Sequence, residues 1–264
     1  MTRSKNILAL SELPTTSLEF VLCDIDDTLT THGQLHGEAY QALWNLFDAN
    51  FKVIPVTGRP AGWCEMIARF WPVHGVIGEN GGFYFYFDKK MQRHYLQDEL
   101  TRIQNQKKLS VIQNEVLKDV PGSALASDQF CRAIDLAIDF CEDVPALPKA
   151  DIQKIVSIFE KHGATAKVSS IHVNGWYGNH DKLSTFLVYA KERLGLSDSH
   201  DLQNKTVFIG DSPNDEPMFK YFKNSVGVQN VAPFLDELKS LPQYICSQEG
   251  GAGFVEFAKH LLKK

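Results

Sequence analysis

Asp24-Ile25-Asp26-Asp27-Thr28 follows the apolar run Phe20–Cys23. In an extended chain residues i and i+2 point the same way, so Asp24 and Asp26 can face one reaction centre. Two carboxylates placed like this suit nucleophilic and acid–base work. Taken alone, the run reads equally well as an acidic turn, since Asp and Thr are common there. A second signal is Thr57-Gly58-Arg59-Pro60 after the strand-like 53–56. A hydroxyl followed by a glycine amide at a strand's end can hold a phosphate oxygen. The third is Gly210-Asp211-Ser212-Pro213-Asn214-Asp215 after another apolar run. Asp and Asn side chains with nearby carbonyls supply the hard oxygen ligands that Mg²⁺ takes. An Asx-rich turn is the plainer reading of that segment.

These motifs need a scaffold that gathers strand ends. Segments 20–23, 52–56 and 73–77 read as strands, separated by helices that carry Ala39, Leu43 and Leu46, then Trp63, Ile67 and Phe70. This rhythm predicts a parallel sheet covered by helices on both faces. It returns near the C-terminus. A helical stripe of Leu183, Phe186, Leu187, Ala190 and Leu194 ends at Gly195, a C-cap candidate. Strands over 206–209, 225–228 and 244–246 follow, with helices over 216–222 and near 234–238 and a last one from Phe254. Gly250-Gly251-Ala252-Gly253 reads as a flexible loop before that last helix. Open α/β sheets bind ligands at the carboxyl ends of their strands, where all three motifs fall.

The middle of the chain has a different pattern. A long helix over 99–118 stops at Pro121-Gly122. Residues 132–140 alternate, with Ile134, Leu136, Ile138 and Phe140 opposite Ala133, Asp135, Ala137 and Asp139. A helix with Ile152, Ile155, Val156 and Phe159 precedes a strand over 167–173. The expected fold class is α/β, a Rossmann-like doubly wound parallel core of residues 1–87 and 178–264. An α+β cap with one open sheet face is expected at 88–177.

Composition narrows the function classes. The chain has 264 residues, 44% hydrophobic and 22% charged, enough to bury a core without disulfide or metal staples. A net charge of −5 argues against nucleic acid or an anionic membrane as partner. The five cysteines are irregularly spaced and read as reduced thiols. The apolar run at 7–10 is too brief for a signal peptide, and no stretch approaches a membrane span. A cytoplasmic protein is expected. Nothing in the sequence specifies an oligomeric state.

Together, the order DxDxT, TGR, lysine and GDxxND resembles the haloacid dehalogenase superfamily. The placement of the insert is similar to the C2-type cap of subfamily IIB, the Cof and sucrose-phosphatase type. The resemblance implies that Asp24 is a nucleophile that becomes an aspartyl-phosphate and that Asp26 is the acid/base. It implies that Thr57 and the Gly58 amide bind the transferring phosphoryl group, and that Lys182 neutralises charge between Asp24 and phosphate. Mg²⁺ would be held by Asp24, the Asp26 carbonyl and Asp211, with Asp215 as an outer or water-mediated ligand and Asn214 orienting Lys182. Asp26 favours phosphatase or mutase chemistry, since dehalogenases and cation-pumping ATPases of the superfamily lack that acid. Asp27 departs from the pattern, because many members have glycine there.

The partner implied is a phosphorylated small molecule, most simply a sugar phosphate. Asn80, in Glu79-Asn80-Gly81-Gly82, resembles the family's hinge and is a substrate-contact candidate. From alternation, Arg132, His172 and Asn174 are further candidates, with Trp176 on the same face as the last two and Asp135 and Asp139 forming another set. Sheet alternation alone also produces a polar face without function. Two alternatives remain open at this point: a phosphohexomutase with the same Asp pair, and a non-catalytic sugar-phosphate binding protein.

Overall fold

The computed structural model describes residues 7–263. Phe20–Cys23 is the pivot of the fold, with all four residues buried. Val21 and Cys23 pack with Leu43, Leu46, Phe254 and Phe257 on one face. Leu22 packs with Ile54, Phe186, Phe208 and Met218 on the other. A strand covered on both faces requires such a continuous apolar run. Six strands pair in parallel, in the order Leu8–Ala9, Tyr244–Ile245, Ser225–Gly227, Thr206–Gly210, Phe20–Cys23 and Lys52–Pro55. Chain order runs in opposite senses on the two sides of Phe20–Cys23, which opens a crevice at the strand ends. Cys23 pairs with Ile209, so Asp24 and the Gly210-Asp211 segment leave adjacent strands together.

Val76–Gly78, expected as a third parallel strand, meets the core sheet through a bridge between Val56 and Ile77. Its ladder is antiparallel, with Phe83–Asp88, which in turn pairs with Lys90–Tyr95. The cause is the turn Glu79-Asn80-Gly81, whose φ values of 43°, 54° and 103° reverse the chain at once. The hairpin packs Phe83 and Phe85 against Ile25, Cys64 and Ile67.

A second antiparallel sheet runs in the order Ala124–Leu125, Leu136–Asp139, His172–Trp176 and Thr165–Val168. The helices Glu99–Asp119 and Lys149–Lys161 back it, burying Leu109, Ile112, Val116, Ile155 and Phe159 against Leu136, Ile138 and Val173. The strand expected over 167–173 is broken at Ser169. Its Oγ accepts the His172 N–H at 2.9 Å and donates to the His172 carbonyl at 3.0 Å, turning the chain. The sheet face expected to be open is covered, with Asp135, Ala137 and Asp139 each 0% exposed. That face sits on the core, a docking that alternation alone does not encode.

Two C-terminal expectations also change. In place of the helix expected near 234–238 there is an earlier 3₁₀ helix, Gln229–Phe234, followed by a turn. Gly250–Gly253 is the first turn of the helix Gly250–Leu261 rather than a flexible loop. The Gly251 N–H donates to the Thr30 carbonyl at 3.1 Å and to Thr31 Oγ1 at 3.0 Å. A Cβ there would stand 2.9 Å from the Leu29 carbonyl oxygen. Glycine lets this helix start abut the loop that follows Asp24. The five cysteines are free thiols, as expected. No helix among the described residues is long and apolar enough to cross a membrane.

Candidate active site

Asp24 is fixed where its strand ends: its N–H donates to the Ile209 carbonyl at 3.0 Å, and its Oδ1 accepts the Ile25 N–H at 2.8 Å. Lys182 opens the helix Lys182–Tyr189, which Asp181 caps by accepting the Ser184 N–H at 2.6 Å. The lysine Nζ donates to Asp24 Oδ2 at 3.0 Å and to Asp215 Oδ1 at 2.9 Å. Asp215 Oδ2 accepts the Asp211 N–H at 3.1 Å, and Asp211 Oδ1 accepts the Thr28 hydroxyl at 3.0 Å. Asp24, Asp211 and Asp215 are buried and present oxygens within 4.8 Å of one another.

Three carboxylates here meet one ammonium. Burial pushes Asp24 up to about 7, against the pull of Lys182. Burial, then Asp215 and Asp24, raise Asp211 well above the usual carboxylate range. Burial pulls Lys182 down, but the Asp215 and Asp24 charges outweigh it and hold the amine protonated. An all-oxygen cluster with excess negative charge fits a hard divalent cation. Asp215 anchors Lys182 within that cluster. Asn214, expected in the anchoring role, instead accepts the Ser212 hydroxyl on Oδ1 at 2.8 Å.

Asp24, Asp26, Gly58, Asn80, Arg132, His172, Asn174 and Asp211 line one pocket. Thr57 is wholly buried, and its Oγ1 accepts the Arg59 N–H at 3.0 Å, leaving the hydroxyl hydrogen to donate. Asn80 Nδ2 is buried without a hydrogen-bond partner among the described residues. A Cβ at residue 58 would stand 3.3 Å from that nitrogen, so glycine at 58 lets the amide lie over the strand end. The two polar sets on the second sheet converge. His172 pairs with Asp139 in register, and Asn174 Nδ2 donates to Asp135 Oδ2 at 3.0 Å. Trp176 turns away into the apolar cluster around Ile25 and Ala61. Asp139 turns its own loop, accepting the N–H groups of Cys141, Glu142 and Asp143. Asp27 sits at φ 52°, the conformation that favours glycine.

Arg59, Glu142, Asp128 and Glu79, none of them given a role by sequence, carry the geometry together with the expected Arg132. Arg59 binds Asp26 through Nε and Nη2 at 2.7–3.0 Å, reaches Glu142 Oε1 at 3.2 Å and lies 3.6 Å from Asp128 Oδ2. Its guanidinium also stacks 4.5 Å from the Trp63 ring. Glu142 Oε2 is 2.9 Å from His172 Nε2, and this contact, with Arg59 adding, holds the carboxyl down at about 2. Arg132 bonds Asp128, Asp135 and the Gly58 carbonyl, the last at 3.0 Å. Glu79 accepts N–H bonds from Ala61 before the site and from Ala133, Ile134 and Asp135 across it. Arg59 stood inside a recognised motif, so its position was a signal. Glu79 likewise stood inside the hinge segment, whereas Glu142 and Asp128 become visible only when the two sheets are brought together.

A family model for haloacid dehalogenase-like hydrolases matches residues 21–115 and 199–256. A phosphoglycolate phosphatase of Sulfurisphaera tokodaii is 25% identical over 247 residues, spanning 92% of this chain and 93% of that protein. The C-terminal domain of a C. albicans trehalose-6-phosphate phosphatase superposes with a TM-score of 0.73 at 15% identity, covering 98% of this chain and 99% of that one. A Synechocystis sucrose-phosphatase in complex with sucrose and phosphate gives 0.63 at 15% identity, over 93% and 98%. At these identities the structural likenesses establish the fold.

Proposed function

The chain belongs to the haloacid dehalogenase-like hydrolases, of the subfamily IIB type, and from that premise we propose that it is a Mg²⁺-dependent phosphatase. Its substrate is a phosphomonoester of a small metabolite, a sugar phosphate, cleaved through an aspartyl-phosphate. The observation that carries this reading is Lys182 bridging Asp24 and Asp215, with a second acid, Asp26, lining one pocket with Asp24.

Asp24 attacks phosphorus, and the bond to the leaving oxygen breaks. Asp26 gives that oxygen a proton, then takes one from the water that cleaves the acyl phosphate. In the structure Asp26 is gripped by Arg59, so it must exchange the guanidinium for the leaving oxygen. Arg59 keeps Glu142 and Asp128 as partners when it does. Lys182 offsets the repulsion between Asp24 and an anionic substrate. The Thr57 hydroxyl, the Gly58 amide and the unpaired Asn80 amide are donors for the phosphoryl oxygens. Asp24, the Asp26 carbonyl and Asp211 would hold a Mg²⁺ ion, which would supply further charge neutralisation at phosphate.

Residues 88–177 act as the cap that reads the leaving group, over a core of 1–87 and 178–264, and the first cap strand, Lys90–Tyr95, pairs with the core strand Phe83–Asp88. The test is phosphate release from a panel of sugar phosphates, glycerates and nucleotides with Mg²⁺, using Asp24→Asn as the blank. Release that disappears in the blank supports the reading. Equal release from both proteins refutes it.

A further inference from the structure

We propose that the outer face of the helices Gly37–Asp48 and Ala61–Phe70 is the interface of a two-fold homodimer in solution. It concerns how copies of this chain assemble and stands apart from the reaction.

The first support is the pattern of the two helices. Ala61–Phe70 buries Cys64, Ile67 and Ala68 against the core, yet its opposite face carries Trp63, Met66 and Phe70 at positions i, i+3 and i+7. Gly37–Asp48 does the same, with Ala39, Leu43 and Leu46 inside and Trp44 and Phe47 outside. A surface helix needs one apolar face, and a helix that is apolar on two sides is one covered on both. The outer residues adjoin one another. The Tyr40 hydroxyl, one turn before Trp44, donates to the Phe70 carbonyl at 3.0 Å, and the Trp44 and Phe47 rings lie 5.9 Å apart. Arg69 lies over the Phe87 ring, 4.7 Å from its centre, which adds the neighbouring hairpin to the face.

The second support is area. Trp44, Phe47, Trp63, Met66, Phe70 and Phe87 are 37–67% exposed. At roughly 200 Å² per large side chain, they present roughly 500 Å² of apolar surface. That is at the upper end of what a monomer exposes in one patch. A stable dimer buries about 800 Å² per subunit, about two-thirds of it apolar, which is again about 500 Å². Aromatic residues and Met, which make up all six, are the types enriched at such interfaces.

The third support is charge, and it selects a second copy over other occupants. The two helices carry Glu38, Asp48 and Glu65 against one cation, Arg69, which disfavours an anionic lipid surface. Glu65 pairs with Arg93, while Arg69 and Asp48 form no ion pair among the described residues. A two-fold contact must be self-complementary, each copy supplying both halves of every pair. An axis between the helices lays Gly37–Asp48 of one copy along Ala61–Phe70 of the other. Asp48 then approaches the partner subunit's Arg69, beside the apolar stripe.

The test is sedimentation velocity of the full chain, with a dimer expected at a dissociation constant of about 1 µM or below. Phe70→Asp and Trp44→Asp should each weaken association at least about a hundredfold, with thermal melts confirming that both variants fold. Phe130→Asp, at an exposed side chain of the cap, should leave the dimer intact. Arg69→Asp should weaken it about tenfold, and adding Asp48→Arg to the same chain should restore it. A chain that stays monomeric at about 100 µM, or a dimer that survives both Phe70→Asp and Trp44→Asp, overturns the proposal. A second measurement needs no variant: hydroxyl-radical labelling of the wild type on either side of the dissociation midpoint. Met66 and Phe70 should be protected severalfold in the dimer. Equal labelling of both residues in monomer and dimer overturns this interface.

Discussion

Replacing Glu79 with alanine tests how the two sheets are held together. The Glu79 carboxylate is wholly buried and accepts the N–H groups of Ala61 at 2.9 Å, Ala133 at 2.9 Å, Ile134 at 2.5 Å and Asp135 at 2.9 Å. Alanine strands all four donors, at about 1–3 kcal/mol each. There is an opposing contribution. Burial, with Asp135 adding, pushes Glu79 up to about 7 from its ordinary 4.5, so keeping it ionised costs the folded state about 3 kcal/mol above pH 7. The variant escapes that cost, and the middle of the range leaves a net loss of about 4–5 kcal/mol at pH 8. The raised pKa also sets the pH dependence. The native state binds this proton more tightly than the unfolded chain, so the wild type gains stability as pH falls from about 7 toward 4.5. The gap between wild type and variant should widen by about 2.5 kcal/mol from pH 8 to pH 5. Amide hydrogen exchange at residues 61 and 133–135 is the assay. At about 1.4 kcal/mol per decade, exchange there should rise about a thousandfold at pH 8. Exchange within tenfold of wild type would show that the carboxylate holds nothing together. A gap that narrows on acidification would refute the raised pKa.

Lys182→Met leaves Asp24 and Asp215 without their shared ammonium, and phosphate release should fall at least about a thousandfold. Added Mg²⁺ should then raise the variant's Tm more than the wild type's, since the carboxylate cluster has lost its lysine; equal shifts would argue against a cation at that cluster. EDTA should silence phosphate release and Mg²⁺ restore it, with activity that survives chelation as the contrary result. Glu142 has a depressed pKa, about 2, so its stabilisation is present above about 4.5 and lost as pH falls through 2. Thermal melts of Glu142→Gln should trail wild type by about 2 kcal/mol near pH 6 and converge with it near pH 2; a constant difference would contradict the His172 and Arg59 pairing.

Much of the core was legible because its signals are local. The run Phe20–Cys23 announces a strand covered on both faces, and acids follow at the strand ends where a parallel sheet gathers ligands. Lys182, placed by motif order, does reach Asp24 across 158 positions of sequence. The second sheet was less legible. Alternation identified Asp135, His172 and Asn174 as polar face residues, yet it could not show that docking buries that face. The four glycine-rich residues from 250 read as a loop because composition does not reveal a neighbour's carbonyl 2.9 Å from an added Cβ.

Residue order by itself determined the fold class and the site carboxylates. Strand periodicity is set by neighbours a few residues apart, and the acids sit at fixed offsets from the strands they follow. Tertiary structure alone decided which charges neutralise one another. Arg59 joins Asp26 to Glu142 of the other sheet, Asp215 rather than Asn214 holds Lys182, and Glu79 ties Ala61 to Ala133–Asp135. Those pairings depend on distances of about 3 Å between residues 18 to 83 positions apart in sequence. Coulomb and hydrogen-bond energies act through space, and sequence separation does not report that distance.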